Sequence, residues 1–317
     1  MIFPDFAAQR RAAIGVLLLL LVLFAHSALA QAPVPPDVIQ AYTLQGRPLY
    51  AAPASEQTLA KLAAARRDYD ADPDKVENLL WYARRTAYAG DYRRAIELFS
   101  EGIDKFPDDS RLYRHRGHRY ISIRRFDEAI ADLQRAVVLM QGLPLQTEPD
   151  GLPNALNIPL TTTQDNVWYH LGLAYYLKRD WPLALAAFQS AYRLGDNDDN
   201  RVSAGHWIYM ILRRMGRDDI AADALHEISR DMTIIENASY HRLCLLYKGE
   251  LEVDELAAAD GNDPGNAALV YGIANYYYYN GDMARSDALL ERIVAGSSWS
   301  AFGFIAAEAD LADPARR

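Results

Sequence analysis

The sequence predicts an all-α fold, a right-handed superhelical solenoid of about five to six stacked helix pairs. Three observations support this fold class. One pattern of small and large residues returns at a period of about 34 residues along most of the chain. Gly-Asp turns at 90–91 and 281–282 separate the two helices of a pair. The composition, 50% hydrophobic and 24% charged over 317 residues, is that of a globular protein and excludes wholesale disorder.

The repeat is clearest in the segment that starts at Asp165. Gly172 and Ala184 are small where the two helices of the pair are expected to cross closely, and large residues surround the crossing. This spacing resembles the tetratricopeptide repeat (TPR), a helix–turn–helix unit of about 34 residues, and the chain is identified from it as a member of the TPR superfamily. The residues that carry the resemblance are Trp168, Leu171, Gly172, Tyr175, Ala184, Phe188 and Ala191.

The first thirty residues have the layout of a cleavable signal peptide. Arg10 and Arg11 precede a leucine-rich run at 14–24, and small residues at 28 and 30 suit a signal peptidase. We expect cleavage before Gln31 and an exported protein, periplasmic in a bacterium and otherwise secreted. The alternative is that the apolar run is retained as a membrane anchor.

Two further segments precede the first repeat. Residues 31–54 contain three early prolines and are expected to form an extended spacer. Residues 55–73 predict an amphipathic helix that begins at the N-cap Ser55 and stops at Pro73. This helix is expected to cap the solenoid, because terminal repeats need a polar outer face.

The repeats occupy two blocks. Residues 76–143 contain repeats one and two, and residues 165–300 contain repeats three to six, of which the fifth is degenerate. In repeat four, Tyr209 replaces a small residue, so its helices are expected to splay or shift. Cys244 takes the small position of the fifth unit and is expected to be a buried, unreactive thiol. Residues 301–317 are expected to cap the C-terminal end.

Residues 144–164 interrupt the repeats. Their prolines and glycine predict an ordered, turn-rich loop rather than a helix. Three placements remain open, namely a flap over the groove beside repeats two and three, packing on the convex back, or disorder. Four apolar side chains favour packing against another part of the protein: Leu152, Leu156, Ile158 and Leu160.

The first helices of stacked pairs line a concave groove. The TPR resemblance implies which positions of each first helix face it, and these positions are basic and aromatic in a chain of net charge −9. Arginine binds carboxylates through a bidentate fork, and tyrosine anchors a partner at low entropic cost. The predicted partner is therefore a protein or peptide with an acidic or carboxylate-bearing segment. The alternative is a solvated face whose arginines pair with nearby Asp and Glu. The candidate residues are Arg84, Arg111, Arg114, His118, Tyr169, Tyr176, His206, Arg213 and Tyr278.

Several functions are disfavoured by the residues present. The acidic balance argues against nucleic-acid binding. A single cysteine rules out an intramolecular disulfide and any multi-cysteine metal centre. His115 and His118 stand three apart, but no third metal ligand follows from the sequence. The sequence contains no glycine-rich phosphate loop and no nucleophile elbow, so we predict no catalytic residue, cofactor or metal.

The C-terminal half is similar in layout to envelope adaptor lipoproteins of the NlpI type. The similarity rests on Trp-Ile-Tyr at 207–209, Tyr-Lys-Gly-Glu-Leu at 247–251 and the tyrosine-rich segment 276–282. It implies an adaptor in the cell envelope, although this chain lacks the lipid-anchoring cysteine. The sequence therefore predicts a non-catalytic, exported interaction scaffold. Two alternatives are an enzyme or small-ligand or glycan receptor built around the 144–164 loop near Asp150 and Asp165, and a membrane-tethered assembly factor.

Overall fold

A computed structural model describes residues 34–35, 37–149, 151–259 and 267–316. The predicted signal peptide and its cleavage site lie outside these residues, so export stays a prediction. Within the described chain, two strands and fourteen α-helices precede a short 3-10 turn at Pro314–Arg316. The strands are β1 (Ile39–Tyr42) and β2 (Pro48–Tyr50), and the helices are α1 (Glu56–Ala71), α2 (Val76–Tyr88), α3 (Tyr92–Lys105), α4 (Ser110–Ser122), α5 (Phe126–Leu139), α6 (Thr163–Leu177), α7 (Trp181–Leu194), α8 (Asp198–Arg214), α9 (Asp218–Asp223), α10 (Ala238–Tyr247), α11 (Val253–Ala259), α12 (Ala267–Tyr279), α13 (Met283–Ala295) and α14 (Phe302–Leu311).

Consecutive helices pack as pairs, and the fold is the predicted all-α TPR solenoid. Helices α2 and α3, α4 and α5, α6 and α7, and α12 and α13 form four full repeats. The fifth unit is degenerate as predicted, with α10 of ten residues and α11 of seven. Repeat four differs from the expectation, because its second helix α9 has only six residues. Tyr209 of α8 stacks on Tyr247 of α10 with ring centroids 4.4 Å apart, and it fills the space between these two units.

The close helix crossing predicted in repeat three is present. Ala184 has no exposed surface, and a Cβ atom at Gly172 would lie 2.7 Å from Cδ2 of Phe188. Any larger residue at 172 would therefore push α6 and α7 apart.

The N-terminal cap also forms as predicted. The Ser55 side chain accepts a hydrogen bond from the backbone N–H of Thr58 and starts α1. Leu62 and Ala65 of α1 then join a buried cluster with residues of repeat one.

The segment before α1 is more ordered than the spacer expected there. Strands β1 and β2 form an antiparallel hairpin in the 31–54 segment. The Gln40 side chain accepts from the backbone N–H of Tyr92 at 3.0 Å, at the start of α3. The Tyr50 carbonyl accepts from Trp299 Nε1 at 2.6 Å, and Arg47 donates to the Val294 carbonyl at 2.8 Å. The hairpin therefore joins the first repeat to the last one.

The C-terminal helix does more than cap the end of the solenoid. Helix α14 packs on α12 and α13, as the next first helix would, and it also contacts α6 of repeat three. Phe304 and Ile305 are fully buried there. The superhelix thus turns tightly enough for its last helix to reach the concave side of earlier repeats, so the expected terminal cap is also an internal contact.

Two arginines in the turns of repeats two and three hold the C-terminal segment in this position. Arg124 and Arg179 have φ of 67° and 62°, in the left-handed region where the turns of other repeats carry glycine. Arg124 forms an ion pair with the buried Glu308 at 2.9 Å, and Arg179 forms one with Asp313. Arginine stands at these strained positions because its side chain makes contacts with the C-terminal segment that glycine could not make.

The described helices include none that is both long enough and apolar enough to span a bilayer. The largest buried cluster runs from repeat two to α14, so much of the concave side is protein interior.

Candidate partner-binding face

All nine predicted groove residues lie on the first helices of their repeats, on α2, α4, α6, α8 and α12. The structure divides the face into two parts. One part, which we call the aromatic half, is formed by repeats three to six together with α14. The other part, which we call the cationic site, consists of Arg84, Arg114 and Arg119 on α2 and α4.

In the aromatic half, the predicted Tyr169 and Tyr176 are hydrogen-bonded to aromatic side chains of other repeats. Tyr176 is buried, and its hydroxyl lies 2.7 Å from that of Tyr271 on α12. Trp207 Nε1 donates to the Tyr169 hydroxyl at 2.8 Å. Tyr169 also lies 3.3 Å from the Tyr240 hydroxyl. These side chains connect repeats three to six and do not present an open surface.

His206 is equally enclosed. Its ring stacks between Tyr240 and Tyr247, with centroids 4.8 and 5.7 Å away, and its Nδ1 lies 3.2 Å from the Tyr247 hydroxyl. Burial lowers the pKa of His206 to about 3, so the imidazole is neutral at physiological pH. A neutral stacked ring contributes packing rather than charge.

The charges of the aromatic half are balanced. Arg214 donates to Asp310 of α14 at 2.5 Å and to Asn275 at 2.6 Å, and the Tyr271 hydroxyl donates to the same Asp310. The Tyr278 ring packs against Arg214, whose guanidinium carbon lies 4.3 Å from the ring centroid. Arg213 lies nearer the edge and pairs with Asp218 at 2.8 Å.

The cationic site is built differently. Arg84 and Arg114 are only 5% and 6% exposed, and Arg119 is half-buried beside them. Arg119 packs against the Tyr92 ring at 5.5 Å, and no carboxylate within the described ranges lies within ion-pair distance of it. Arg111 lies at the rim and pairs with Asp109.

The 144–164 segment lies against Arg84 and Arg114 of this site. It forms a flap, but over repeats one and two rather than beside repeats two and three as predicted. Its ends pair through Glu148 N–H to the Thr161 carbonyl at 2.9 Å, and through Thr163 N–H to the Gln146 carbonyl at 2.8 Å. Glu148 is buried and lies 3.1 Å from Nη2 of Arg114. The backbone fits closely, since a Cβ atom at Gly151 would lie 2.1 Å from the Tyr88 hydroxyl.

Three histidines line the same region and are neutral. Burial first, and then the charges of neighbouring groups that include Arg114 and Arg119, lower the pKa values of His115, His118 and His170 well below the usual value. The predicted His118 lies 4.4 Å from His170 and 5.1 Å from Phe302 between ring centroids. It therefore touches the beginning of α14.

Among the described residues, the site has more cations than anions. Arg84 and Arg119 lie beside Arg114, which pairs with Glu148, and burial, with the charge of Glu148, raises the pKa of Asp165 to about 7. Within the described part of the chain, Nε of Arg84, Nε of Arg114 and Oε2 of Glu148 are buried without a hydrogen-bond partner, and so are Tyr279 Oη and Glu308 Oε1 in the aromatic half. Such unpaired polar atoms are costly in an interior, and a bound ligand would satisfy those of the cationic site.

The sequence alone had identified Arg84 and Arg114 here, and Asp165 as a titratable group of the alternative hypothesis. It missed Arg119, His170 and Glu148. The helical spacing of Arg119 from Arg114 did not mark Arg119 as a groove residue. The position of Glu148 depends on the path of the inserted loop.

Cys244 is fully buried, as predicted, and burial raises the pKa of its thiol. Among the residues that the structure describes, no group of three or more His, Cys, Asp or Glu side chains could hold a metal ion.

No family model and no curated protein matches the sequence. The chain is similar to solved structures of TPR proteins. YrrB, described as a TPR protein with an unusual peptide-binding site, has 15% identity and a TM-score of 0.41, over 75% of this chain and 95% of that one. The Cut9–Hcn1 hetero-tetramer of the APC/C has 16% identity and a TM-score of 0.47, over 75% of this chain and 37% of that one. MamA has 17% identity and a TM-score of 0.37, over 67% of this chain and 92% of that one. These similarities concern the fold alone.

Proposed function

We propose that this protein is a non-catalytic interaction scaffold that binds a protein or peptide through an acidic or carboxylate-bearing segment. Recognition is centred on the cationic site of repeats one and two. The observation that carries the proposal is the local excess of guanidinium groups, with buried N–H donors left without acceptors. Charge-assisted hydrogen bonds to a carboxylate would satisfy these donors, and the partly dry surroundings would strengthen them.

The nine predicted residues take different parts in this proposal. Arg84 and Arg114 would contact the partner directly, together with the newly identified Arg119. His118 would shape the floor of the site, and Arg111 would act at its rim. The remaining five would hold the repeats in the curvature that brings the arginines together: Tyr169, Tyr176, His206, Arg213 and Tyr278.

We further propose an exported, periplasmic scaffold with a role in the cell envelope. This part rests on the signal-like residues 1–30 and on the resemblance to envelope adaptors of the NlpI type. N-terminal sequencing of the protein from its host tests it. A first residue of Gln31 supports export in soluble form, whereas a retained N-terminus supports the membrane-tethered alternative.

Peptide selection tests the binding function. A phage-displayed library of random dodecapeptides would be panned against the full chain, the Arg119→Gln variant and the control Arg292→Gln. Arg292 is exposed on α13, away from the cationic site, and its substitution makes the same change in charge. We expect peptides rich in Asp and Glu on the wild type and on R292Q, and their loss on R119Q. Failure to enrich any such peptide, or equal enrichment on R119Q, contradicts the proposal.

One observation favours the alternative of an enzyme or small-ligand receptor at the 144–164 loop. Asp165 lies in this region with a pKa of about 7, within the range useful for proton transfer. A thermal-shift screen of small molecules against the wild type and Asp165→Asn tests this reading. A compound that stabilises only the wild type, with acidic-peptide binding unchanged in D165N, would favour it.

A further inference from the structure

We infer that the 144–164 insertion carries an internal stand-in for the partner. In this inference the Glu148 carboxylate occupies the place in the cationic site that a carboxylate of the partner takes, and the partner binds by displacing the insertion. The inference rests on the proposed function and adds a self-occupied, closed state to it.

The insertion reaches the site through a small number of polar contacts. Arg114 pairs with the Glu148 side chain, and Arg84 and Arg85 donate to the carbonyls of Pro149 and Gly151 at 2.9 and 2.7 Å. All three donors are arginines of the first helices. An acidic side chain followed by two backbone carbonyls is also what an extended acidic peptide would offer to the same donors.

The internal fit is incomplete, and a second arginine pair in the same repeat shows the difference. Arg116 holds Asp132 by two hydrogen bonds, both 2.7 Å, from Nε and Nη2. Arg114 contacts Glu148 through one oxygen, while its own Nε and Glu148 Oε2 have no hydrogen-bond partner. A ligand that engages Arg114 through both positions, and reaches Arg119 as well, would therefore gain contacts that the insertion does not make.

The outer side of the insertion is weakly held. Leu152, Leu156 and Ile158 are 73%, 61% and 47% exposed, contrary to the expectation that these apolar residues pack against the protein. Asn154 bonds largely within the loop, through the backbone of Leu156 and Ile158. A segment with so little buried apolar surface opens at low free-energy cost.

The base of the insertion provides a fixed end for such opening. The Leu160 carbonyl accepts hydrogen bonds from the side chains of Asn197 and Asn200 at 2.8 and 3.1 Å. Residues 146–158 can therefore leave the site while the chain at Leu160 stays attached at the start of α8. Displacement of Glu148 and of the Pro149 carbonyl is the step that frees Arg114 and Arg84 for the partner.

A binding measurement with a charge-matched control tests the inference. Fluorescence anisotropy would follow a fluorescein-labelled tetraglutamate peptide titrated with the full chain, Glu148→Gln and Glu291→Gln. Glu291 is exposed on α13, away from the insertion, and its substitution makes the same change in charge. A closed state lowers the apparent affinity for the peptide in proportion to its population. A hydrogen bond to a charged group changes an equilibrium constant by about tenfold or more, so E148Q should bind the peptide about tenfold tighter than the wild type. E291Q should bind like the wild type.

The outcomes separate the two proposals. Equal or weaker binding by E148Q, with clear binding by the wild type, overturns the stand-in role and leaves the binding function intact. An equal gain in E291Q also overturns it, because the effect would then be general electrostatics. No binding by any of the three overturns the carboxylate-binding function itself.

A measurement on the wild type covers the case in which E148Q does not fold. Hydrogen exchange of the Glu148 and Thr163 amides, which pair the two ends of the insertion, would be compared with and without saturating peptide. We expect faster exchange of both amides in the complex. Unchanged or slower exchange means that the insertion stays in place, and it overturns the inference.

Discussion

The two parts of the concave face use the same residue types for opposite purposes. In the aromatic half, Arg214 donates to Asp310 and Asn275, and rings such as Tyr176 and Trp207 pack edge to face. In the cationic site, Arg119 meets no carboxylate of the described chain, and Arg114 shares only one oxygen of Glu148. A basic and aromatic lining is therefore not by itself a binding surface. What distinguishes the two parts is whether the chain supplies its own counter-charge.

The C-terminal helix causes the difference. Glu308 and Asp310 of α14 enter the superhelix and neutralise Arg124 and Arg214. Helix α14 reaches α6, and among the described residues no ion pair joins α14 to Arg84, Arg114 or Arg119. In the cationic site, Arg114 instead pairs with Glu148 of the inserted loop.

The largest effect on stability is expected for Arg214→Gln. This change leaves the buried Asp310 without its closest cation, and breaking a buried pair costs about 3–5 kcal/mol. Urea denaturation should show this loss in the free energy of unfolding, with R292Q unchanged. A loss below about 1 kcal/mol would mean that the aromatic half is not the balanced interior described above.

The next effect is expected for Asp165→Asn and depends on pH. Because the folded-state pKa is raised to about 7, the native protein holds a proton that the unfolded chain releases, so stability falls as pH rises from about 4 to about 7. The asparagine variant loses this component and should be more stable than the wild type at pH 8, by up to about 3 kcal/mol. At pH 4 the two should agree. Parallel stability–pH curves would contradict the raised pKa.

A smaller effect is expected for Arg124→Gly in the turn of repeat two. Glycine relieves the positive φ, worth about 1 kcal/mol, but the variant leaves Glu308 buried without its partner. We expect a net loss of about 2 kcal/mol in thermal unfolding and faster hydrogen exchange in α14. Arg179→Gly is the comparison, since its partner Asp313 is more exposed. A more stable R124G would show that the Arg124–Glu308 ion pair does not hold α14 against repeat two.

The smallest effect is expected for Arg119→Gln. Removing a half-buried cation without a counter-ion should change the free energy of unfolding by no more than about 0.5 kcal/mol. Urea denaturation beside R214Q gives the direct contrast between the two parts of the face. A loss as large as that of R214Q would show that Arg119 has a structural role, and that the cationic site is not kept for a partner.

Much of the fold was predictable because the signals are local. Gly172 and Ala184 marked a helix crossing, Ser55 marked a helix start, and both are observed. The short α9 and the hairpin β1–β2 were not predicted. The hairpin is held by distant groups such as Trp299, whose bond to Tyr50 spans 249 residues.

The candidate site was predictable only in part. Helical position correctly placed Arg84 and Arg114 on one face. It also predicted Tyr176 and His206 as groove residues on the same grounds. Those two are buried by α12 and α10, and repeat periodicity does not reveal how far the superhelix curves. The partner-binding role of the nine residues stays a prediction.

The sequence by itself determined the helix pairs, the repeat period and the abundance of arginine and tyrosine on the first helices. These follow from steric and hydrophobic preferences acting within about 34 residues. Only the tertiary structure decided which of those arginines are neutralised. The deciding contacts, such as Arg124 with Glu308 across 184 residues and Arg114 with Glu148 of the insertion, depend on superhelix closure and loop placement. Small curvature differences per repeat accumulate over the whole solenoid, and no single repeat encodes their sum.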